Sequence, residues 1–324
     1  MAPRKITTAE GLAREALLLA GDTTPLRGYD PVGGGSISEA LRLRTDRCEY
    51  LLKSSGHELP GFFAAEARGL ALLAATGAVR VPVVFAYRDA KRTENHPEGT
   101  RPQGQPRTDR ASTDYGSQSF ILLEWLVAPP QHDRASAAEA LGHGLAALHR
   151  ATAPAYGLDH DNYIGATPQP NGWMTSWRAF FRERRLRVQA ELAHRNGRMS
   201  GERARRMERL LDRLGDWLDD RAVTPALLHG DLWGGNFIVG PGGAAALIDP
   251  AAYYGNHEAD LAFTTLFGGF PASFYRAYDE VWPQVSGWQE RRDLYNLYHL
   301  LNHLNLFGEG YGAQVDQVLR RYAG

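Results

Sequence analysis

The sequence has a single cysteine, Cys48, among 324 residues, so no intrachain disulfide can form. It has no apolar run long enough to span a membrane, and its N-terminus lacks the pattern of a signal peptide. An excess of one charge is also missing, since 36 Lys and Arg residues balance 37 Asp and Glu residues. Local basic runs such as 182–187 are interpreted as solvated helix faces. These absences predict a cytoplasmic globular protein that binds neither nucleic acid nor membranes.

Two polar motifs lie among apolar runs in the second half of the chain. The first, at 229–236, reads His-Gly-Asp-Leu-Trp-Gly-Gly-Asn, and the second, at 248–250, reads Ile-Asp-Pro. Asp231 and Asn236 lie five residues apart, which is the spacing of the catalytic loop of protein kinases. The neighbouring apolar runs predict short buried strands. Each acid would therefore lie at a strand end, facing a shared cleft.

These residue types fit the needs of phosphoryl transfer, which requires a correctly placed alcohol and divalent cations that neutralise phosphate charge. Mg²⁺ prefers hard oxygen ligands and keeps several waters, so one carboxylate and one amide oxygen suffice. Asn236 and Asp249 are thus the candidate Mg²⁺ ligands, and Asp231 is the candidate acceptor of the hydroxyl proton. Taken alone, the first motif also fits an ordinary polar turn. Both motifs together favour the phosphotransferase.

A glycine-rich segment upstream predicts a turn whose backbone N–H groups approach phosphate oxygens. Alternating residues at 36–45 and 48–53 predict two strands after it. Lys53 lies on the second strand, where it could contact a nucleotide, although a lone lysine on a strand is more often solvated. The residues of the candidate phosphate-binding turn are Gly33, Gly34, Gly35 and Ser36.

Two further features complete the candidate nucleotide site. Glu66 lies on a predicted amphipathic helix at 62–75 and could pair with Lys53, or it could be an ordinary glutamate near a helix N-terminus. The apolar run 119–126 precedes two prolines and resembles a connector between two lobes. The candidate adenine-contact residues of this connector are Glu124, Trp125 and Leu126.

The order of predicted elements indicates the fold class. Strands dominate as far as residue 126, and helices dominate after it. We therefore expect an α+β protein with a bilobal, protein-kinase-like fold: a strand-rich N-lobe at 1–126 and a mainly helical C-lobe at 127–324 that contains a catalytic hairpin. The polar stretch 88–118 is expected to be mobile. Helices are predicted at 8–20, 62–75, 135–150, 175–194, 203–220, 288–307 and 315–322.

Together these motifs resemble the fructosamine kinases (ketosamine-3-kinases), relatives of the aminoglycoside phosphotransferases. The spacing of Asp231 and Asn236 is shared by many small-molecule kinases, whereas Leu232-Trp233 and the segment 161–165 are typical of the fructosamine group. The resemblance covers nearly the whole chain. Its matching segments are 33–38, 51–53, 63–70, 122–126, 161–165, 168–169, 177–186, 229–236, 249–251, 253–255 and 258–262.

The resemblance implies ATP-dependent phosphorylation of the C3 hydroxyl of a ketosamine, the adduct formed when a reducing sugar glycates an amine. The 3-phosphate is unstable and sheds the sugar, so the activity would be deglycation. ATP and Mg²⁺ are the implied cofactors, with Lys53 held by Glu66 and Trp233 near the sugar. A free or protein-bound ketosamine is the implied partner, and a monomer is favoured.

Three alternatives remain open. A kinase of another alcohol, such as an aminoglycoside, would need acids to hold a polycation, whereas residues 295–307 are mostly Asn, His and Tyr among leucines. A pseudokinase would lack at least one of Lys53, Asp231, Asn236 and Asp249, and all of these are present. His299 and His303 have the spacing of zinc ligands but lack a metalloprotease glutamate, so a polar helix face is favoured.

Overall fold

A computed structural model describes residues 8–33, 38–56, 59–89, 118–126, 134–220 and 223–324. They form two compact units, one from the chain up to Ala64 together with Val84–Trp125, the other from Ala65–Val83 and Leu126–Gly324. Three residues of the predicted turn, Gly34, Gly35 and Ser36, lie outside the described residues, as does most of the polar stretch 88–118. Within the described ranges, no helix is long and apolar enough to cross a membrane. The predicted lobe boundary at residue 126 stays a prediction.

The first unit is built on a five-stranded antiparallel sheet in the order β1-β2-β3-β5-β4. Alternating residues of β2 and β3 bury one face, as the sequence pattern predicts, and helix α1 packs on that face through Leu12, Ala16 and Leu17. The elements of this unit are α1 (Thr8–Leu19), β1 (Leu26–Pro31), β2 (Glu39–Thr45), β3 (Glu49–Ser55), β4 (Val84–Arg88) and β5 (Ser119–Glu124).

A buried carboxylate joins α1 to this sheet. Asp22 accepts hydrogen bonds from Thr24, through N–H (2.9 Å) and hydroxyl (2.6 Å), and from the hydroxyls of Thr45 (2.9 Å) and Tyr50 (2.8 Å). Burial alone would raise the pKa of Asp22, but these hydrogen bonds together outweigh it and lower the pKa to about 2. Because the folded pKa is depressed, the carboxylate stabilises the fold above about pH 4, and this contribution is lost as the pH falls towards 2.

Replacing Asp22 with asparagine is therefore expected to lower the free energy of unfolding by about 1–3 kcal/mol at pH 7. Urea denaturation at pH 7 and pH 3 measures the effect, which should shrink at the lower pH. The matched control is Asp46→Asn, since Asp46 pairs with Arg27 at an exposed site where a salt bridge contributes little. An Asp22→Asn protein as stable as the wild type at pH 7 would contradict the assignment.

The second unit is mainly helical. Predicted helices at 62–75 and 288–307 are confirmed at those bounds. The predicted helix 175–194 is divided by a π-helical segment, Phe181–Leu186, and the helix predicted at 203–220 spans Gly201–Asp212. Besides that segment, the helices of this unit are most of α2 (Phe62–Ala75), then α3 (Arg134–His149), α4 (Trp177–Phe180), α5 (Arg187–Arg195), α6 (Gly201–Asp212), α7 (Glu258–Phe263), α8 (Ala272–Val281), α9 (Trp288–Phe307) and α10 (Gly312–Ala323).

Three small antiparallel sheets stand among these helices in the described part of the unit. The predicted strands around the two polar motifs are confirmed. The strand before the first motif, however, does not pair with the strand that follows this motif. Instead the strand at 226–228 pairs with the strand at 253–255, and the strand at 237–239 forms a hairpin with the strand at 245–247. The strands are β6 (Asn162–Ile164), β7 (Thr167–Gln169), β8 (Ala226–Leu228), β9 (Phe237–Val239), β10 (Ala245–Leu247) and β11 (Tyr253–Gly255).

Candidate active site

The loop between β8 and β9 is supported by a buried carboxylate on α7. Asp260 is 2% exposed and accepts hydrogen bonds from the backbone N–H groups of His229 (2.7 Å) and Gly230 (2.9 Å). His149 lies 3.3 Å from the same carboxylate. Hydrogen bonds to an ionised acceptor are stronger than neutral ones, so these contacts fix the path of the chain just before Asp231.

The buried ring of His229 links this loop to the Ile-Asp-Pro segment. Burial lowers the pKa of His229, so its ring is neutral. Its Nδ1 accepts the N–H of Asp231 (3.2 Å), which leaves Nε2 to donate to the carbonyl oxygen of Ile248 (2.9 Å). The backbone N–H of Ala251 donates to the carbonyl oxygen of His229 (2.9 Å). The two polar motifs are therefore held side by side.

Gly230 has no room for a side chain. Its φ of +81° is in the left-handed region, and a Cβ would lie 2.1 Å from the carbonyl oxygen of Ala251. Gly230→Ala is therefore expected to cost more than about 3 kcal/mol of stability, or to prevent folding. Urea denaturation measures the loss. Gly234→Ala is the control in the same loop, because a Cβ there meets nothing within 4 Å; equal losses in both variants would contradict this account.

Asp231 and Asn236 contact each other directly. The side-chain amide nitrogen of Asn236 donates to the carboxylate Oδ2 of Asp231 (2.9 Å) and to its backbone carbonyl (2.8 Å). The loop between them is closed by the N–H of Asn236, which donates to the carbonyl oxygen of Trp233 (3.0 Å). Arg134, at the start of α3, donates to the carbonyl oxygen of Gly234 (2.8 Å) in this loop. The five-residue spacing thus brings both side chains to one point.

The hairpin β9–β10 brings Asp249 to the same place. Asn236 immediately precedes β9 and Asp249 closely follows β10, and the N–H of Ile248 donates to the carbonyl oxygen of Asn236 (3.1 Å). Asp249 has a φ of 56°, and it is the only non-glycine residue in the described ranges with a positive φ. Such a backbone persists only where the surroundings hold it, as the hydrogen bonds of Ile248 and Ala251 do here.

The electrostatics of the site favour a proton acceptor at Asp231. Burial raises the pKa of Asp231 to about 7; the hydrogen bond from Asn236 opposes this rise, and the negative charges of Asp249 and Asp260 add to it. The Asp231 side chain nevertheless keeps 22% of its surface exposed, so a substrate can reach it. A carboxyl group whose pKa lies near working pH is suited to general-base catalysis.

The donor atoms fit Mg²⁺. The amide nitrogen of Asn236 donates to Asp231, so its amide oxygen remains as a candidate ligand, together with the carboxylate of Asp249. In the part of the chain that the structure describes, no three His, Cys, Asp or Glu side chains group to hold a metal. The zinc site that was left open as the less favoured alternative at His299 and His303 gains no support, since the Nδ1 of His303 is hydrogen-bonded to the carbonyl oxygen of His299 (2.8 Å).

Aromatic side chains lie next to this centre. The indole of Trp233 is 37% exposed and meets the ring of Phe267 edge to face, with centroids 6.0 Å apart. On α9, His299 lies with its Nδ1 4.0 Å from the Oδ1 of Asp231. Trp233 thus presents indole surface to the solvent two residues from the candidate base.

The predicted nucleotide residues are distributed over both units. Lys53 lies on β3 in register with Ile121 of β5, the strand that ends at Glu124, and the guanidinium of Arg42 lies 4.9 Å from the ring centre of Trp125. In the second unit, Glu66 and Leu126 are buried. Of the predicted phosphate-binding turn, the structure describes Gly33 alone. The pairing of Lys53 with Glu66 stays a prediction.

The segment at 161–165 supports the backbone behind Asp249. Buried Asn162 donates to the carbonyl oxygen of Ala252 (2.9 Å). Gln169 donates to the carbonyl oxygen of Ala251 (3.1 Å) and to Asn162 (2.8 Å), while it accepts the hydroxyl of Tyr298 (2.5 Å). The segment at 161–165, together with Gln169, therefore fixes the chain just after the candidate metal ligand.

Sequence reasoning missed one supporting residue and placed another wrongly. Asp260 was matched only as part of a motif, although an acid directly before the apolar run Leu-Ala-Phe at 261–263 is a signal of a buried role. The interpretation of 182–187 as a solvated face was wrong for Arg185, which is fully buried. Its guanidinium lies 3.9 Å from the ring centre of Tyr253 and donates to Asn171 (2.7 Å). Its position four residues after Phe181, on a core-facing stripe, was the available signal.

The fold and this centre define a small-molecule phosphotransferase of protein-kinase-like, bilobal α+β architecture, as the sequence predicted. Aminoglycoside phosphotransferase APH(4)-Ia has the same fold, with a TM-score of 0.59 at 16% identity over 98% of this chain and 99% of that one. The chain belongs to the fructosamine kinase family, whose sequence model matches residues 12–323.

Individual relatives are similar to this chain over most of their length. A probable ketoamine kinase of Synechocystis is 41% identical over 292 residues, which cover 90% of this chain and 88% of that protein. The chloroplastic protein-ribulosamine 3-kinase of japonica rice is 34% identical, over 95% of this chain and 82% of that protein. The crystal structure of a candidate fructosamine-3-kinase of Thermobifida fusca has a TM-score of 0.77 at 30% identity, over 96% and 97% of the two chains.

Proposed function

We propose that this protein, an ATP-dependent kinase by family, phosphorylates the C3 hydroxyl of a ketosamine. The substrate class is inferred from relatives that are named ketoamine kinase and protein-ribulosamine 3-kinase. The observation that carries the proposal is the hydrogen-bonded pair Asp231 and Asn236 beside Asp249. This arrangement provides a proton acceptor and two oxygen ligands at one point.

In the proposed reaction, Asp231 accepts the proton of the C3 hydroxyl while the hydroxyl oxygen of the substrate bonds to the γ-phosphorus of ATP. The bond between that phosphorus and the bridging oxygen breaks, and ADP leaves. Asn236 orients the carboxylate of Asp231 through its amide nitrogen. Asn236 and Asp249 would hold Mg²⁺, which neutralises charge on the phosphates when bound.

Roles in nucleotide binding are proposed for the residues that the sequence motifs indicate. Lys53 would contact the phosphates and be held by Glu66. The position of the helix that carries Glu66 supports this role. One turn after Glu66, Gly69 packs so closely on Pro250, the neighbour of Asp249, that a Cβ on it would lie 3.1 Å from the proline ring. Phosphate and adenine contacts are proposed for Gly33, Gly34, Gly35, Ser36, Glu124, Trp125 and Leu126.

The sugar is proposed to lie against Trp233, where an indole face suits the C–H side of a polyol. A ketosamine 3-phosphate would then release the amine, so the overall effect is deglycation. An aminoglycoside kinase is less well supported, because the buried polar residues of α9 are asparagines, tyrosines and His299 rather than acids.

A substrate panel tests the proposal. Fructosyl-lysine, ribulosyl-lysine, erythrulosyl-lysine and kanamycin are each incubated with the protein, ATP and Mg²⁺, and a reaction without acceptor corrects for ATP hydrolysis. Release of ADP gives the rate, and mass spectrometry detects the phosphorylated adduct and free lysine. We expect at least one ketosamine to be turned over far faster than kanamycin. Faster turnover of kanamycin would replace the proposed function with the alternative.

A further inference from the structure

The imidazole of His299 has a buried nitrogen that lacks a partner. His299 is 5% exposed, and its Nδ1 has no hydrogen-bond partner among the residues that the structure describes. Buried polar atoms are nearly always satisfied, because leaving one unpaired costs stability. An unpaired buried nitrogen beside an active centre is therefore available for a hydrogen bond to a ligand.

This nitrogen faces the candidate base. The Nδ1 of His299 lies 4.0 Å from the Oδ1 of Asp231, which is too long for a direct hydrogen bond. Two hydrogen bonds of about 2.8 Å through one shared oxygen atom can span such a gap. The separation thus fits a single hydroxyl oxygen that contacts both side chains.

The ring of His299 is held in a fixed orientation. It stacks on the ring of Phe263, with centroids 3.5 Å apart and planes at 4°. One turn later, His303 binds the carbonyl oxygen of His299 (2.8 Å). Burial lowers the pKa of His299 well below its usual value, and the nearby His303 and Arg185 add to this effect. A neutral ring can donate through Nδ1 without taking a proton from the substrate.

We propose that the hydroxyl oxygen that becomes phosphorylated bridges Asp231 and His299. Asp231 accepts its proton, and the Nδ1–H of His299 donates to one of its lone pairs, so that the remaining lone pair is directed at the γ-phosphorus. The O–H bond breaks, the O–P bond forms, ADP leaves, and His299 keeps its own proton. This role rests on the proposed function and makes His299 a substrate-binding residue of that reaction.

Two substitutions of His299 by side chains of nearly equal shape test the contribution of its Nδ1 atom. In His299→Asn the side-chain amide can replace Nδ1, whereas His299→Leu offers only carbon. We expect His299→Leu to lower kcat/KM for the ketosamine by about 10- to 100-fold, and His299→Asn to stay within about fivefold of the wild type. The KM for ATP should change in neither. Thermal unfolding confirms that both variants fold. Equal kcat/KM values in His299→Leu and wild type would overturn the proposal.

A deoxy substrate identifies the hydroxyl. Binding of the ketosamine and its 3-deoxy analogue is measured with a non-hydrolysable ATP analogue. Wild type should prefer the hydroxylated compound by about 10-fold or more, and His299→Leu should lose most of this preference. An unchanged preference would refute the contact. If wild-type protein acts on another alcohol instead, the proposed function fails, while the Leu and Asn variants compared on that alcohol still decide whether His299 binds it.

Discussion

Asp231→Asn is expected to lower kcat by about 10²- to 10⁴-fold, the usual contribution of a general base. Asparagine has the shape of aspartate, and its amide oxygen can still accept the hydrogen bond from Asn236. The loop should therefore keep its geometry and lose only the proton acceptor. Since Asp231 is proposed to contact the alcohol and not the nucleotide, the dissociation constant for ATP should stay nearly unchanged.

Turnover is measured by release of ADP, and ATP affinity by titration of the same preparations. Because burial raises the pKa of Asp231, wild-type activity should fall on acidification through an apparent pKa above 3.8, its unperturbed value. Bound Mg²⁺ would offset the charge of Asp249 and keep that pKa at or below about 7. Unchanged turnover in Asp231→Asn would remove Asp231 from the mechanism.

Asp249→Asn is expected to give the second large effect, a loss of about 10²-fold or more in kcat together with a higher Mg²⁺ requirement. Asp249 is the only charged member of the proposed ligand pair, so its replacement removes the main attraction for the cation. Asparagine tolerates a positive φ better than most residues, and the hydrogen bonds around Ile248 and Ala251 remain. The variant should therefore fold normally.

Titration of ADP release with Mg²⁺ at saturating ATP measures this effect. Asp159→Asn is the matched control, because the side chain of Asp159 is 78% exposed and is hydrogen-bonded to its neighbour His160. Asp231→Asn serves as the second comparison, since it should lose turnover while half-saturation by Mg²⁺ stays near the wild-type value. If Asp249→Asn and wild type are half-saturated at the same Mg²⁺ concentration, Asp249 is not the metal ligand.

Much of the candidate site was predictable because its signals are local. The apolar runs that become β8, β9 and β10 are short and bounded by glycine, proline or polar residues, so their positions were predicted almost to the residue. Asp231 and Asn236 lie on one tight loop, where spacing alone is enough to bring them together. Helices α2 and α9 were predicted at their observed bounds because each has a clear apolar pattern and a glycine just beyond its end.

Pairing between distant segments was not predictable in the same way. The pattern of β8 does not reveal that it pairs with β11 rather than with β9, since both partners are short and apolar. Arg185 was misinterpreted because a basic run normally faces solvent, whereas here aromatic rings and carbonyl oxygens surround the guanidinium. The π-helical segment that contains Arg185 has no proline or glycine to mark it in the sequence.

The chemical groups of the candidate site are thus specified by the amino-acid sequence, whereas their relative positions are set by tertiary packing. Residue type and spacing alone identify a carboxylate, an amide and a second carboxylate suited to phosphoryl transfer. Only the folded chain places Asp260 beneath the loop, Asn162 behind Asp249 and His299 opposite Asp231. These residues come from segments 31 to 90 positions away from the groups they support, and the buried hydrogen bonds of Asp260 and Asn162 are strengthened by the low dielectric of the core.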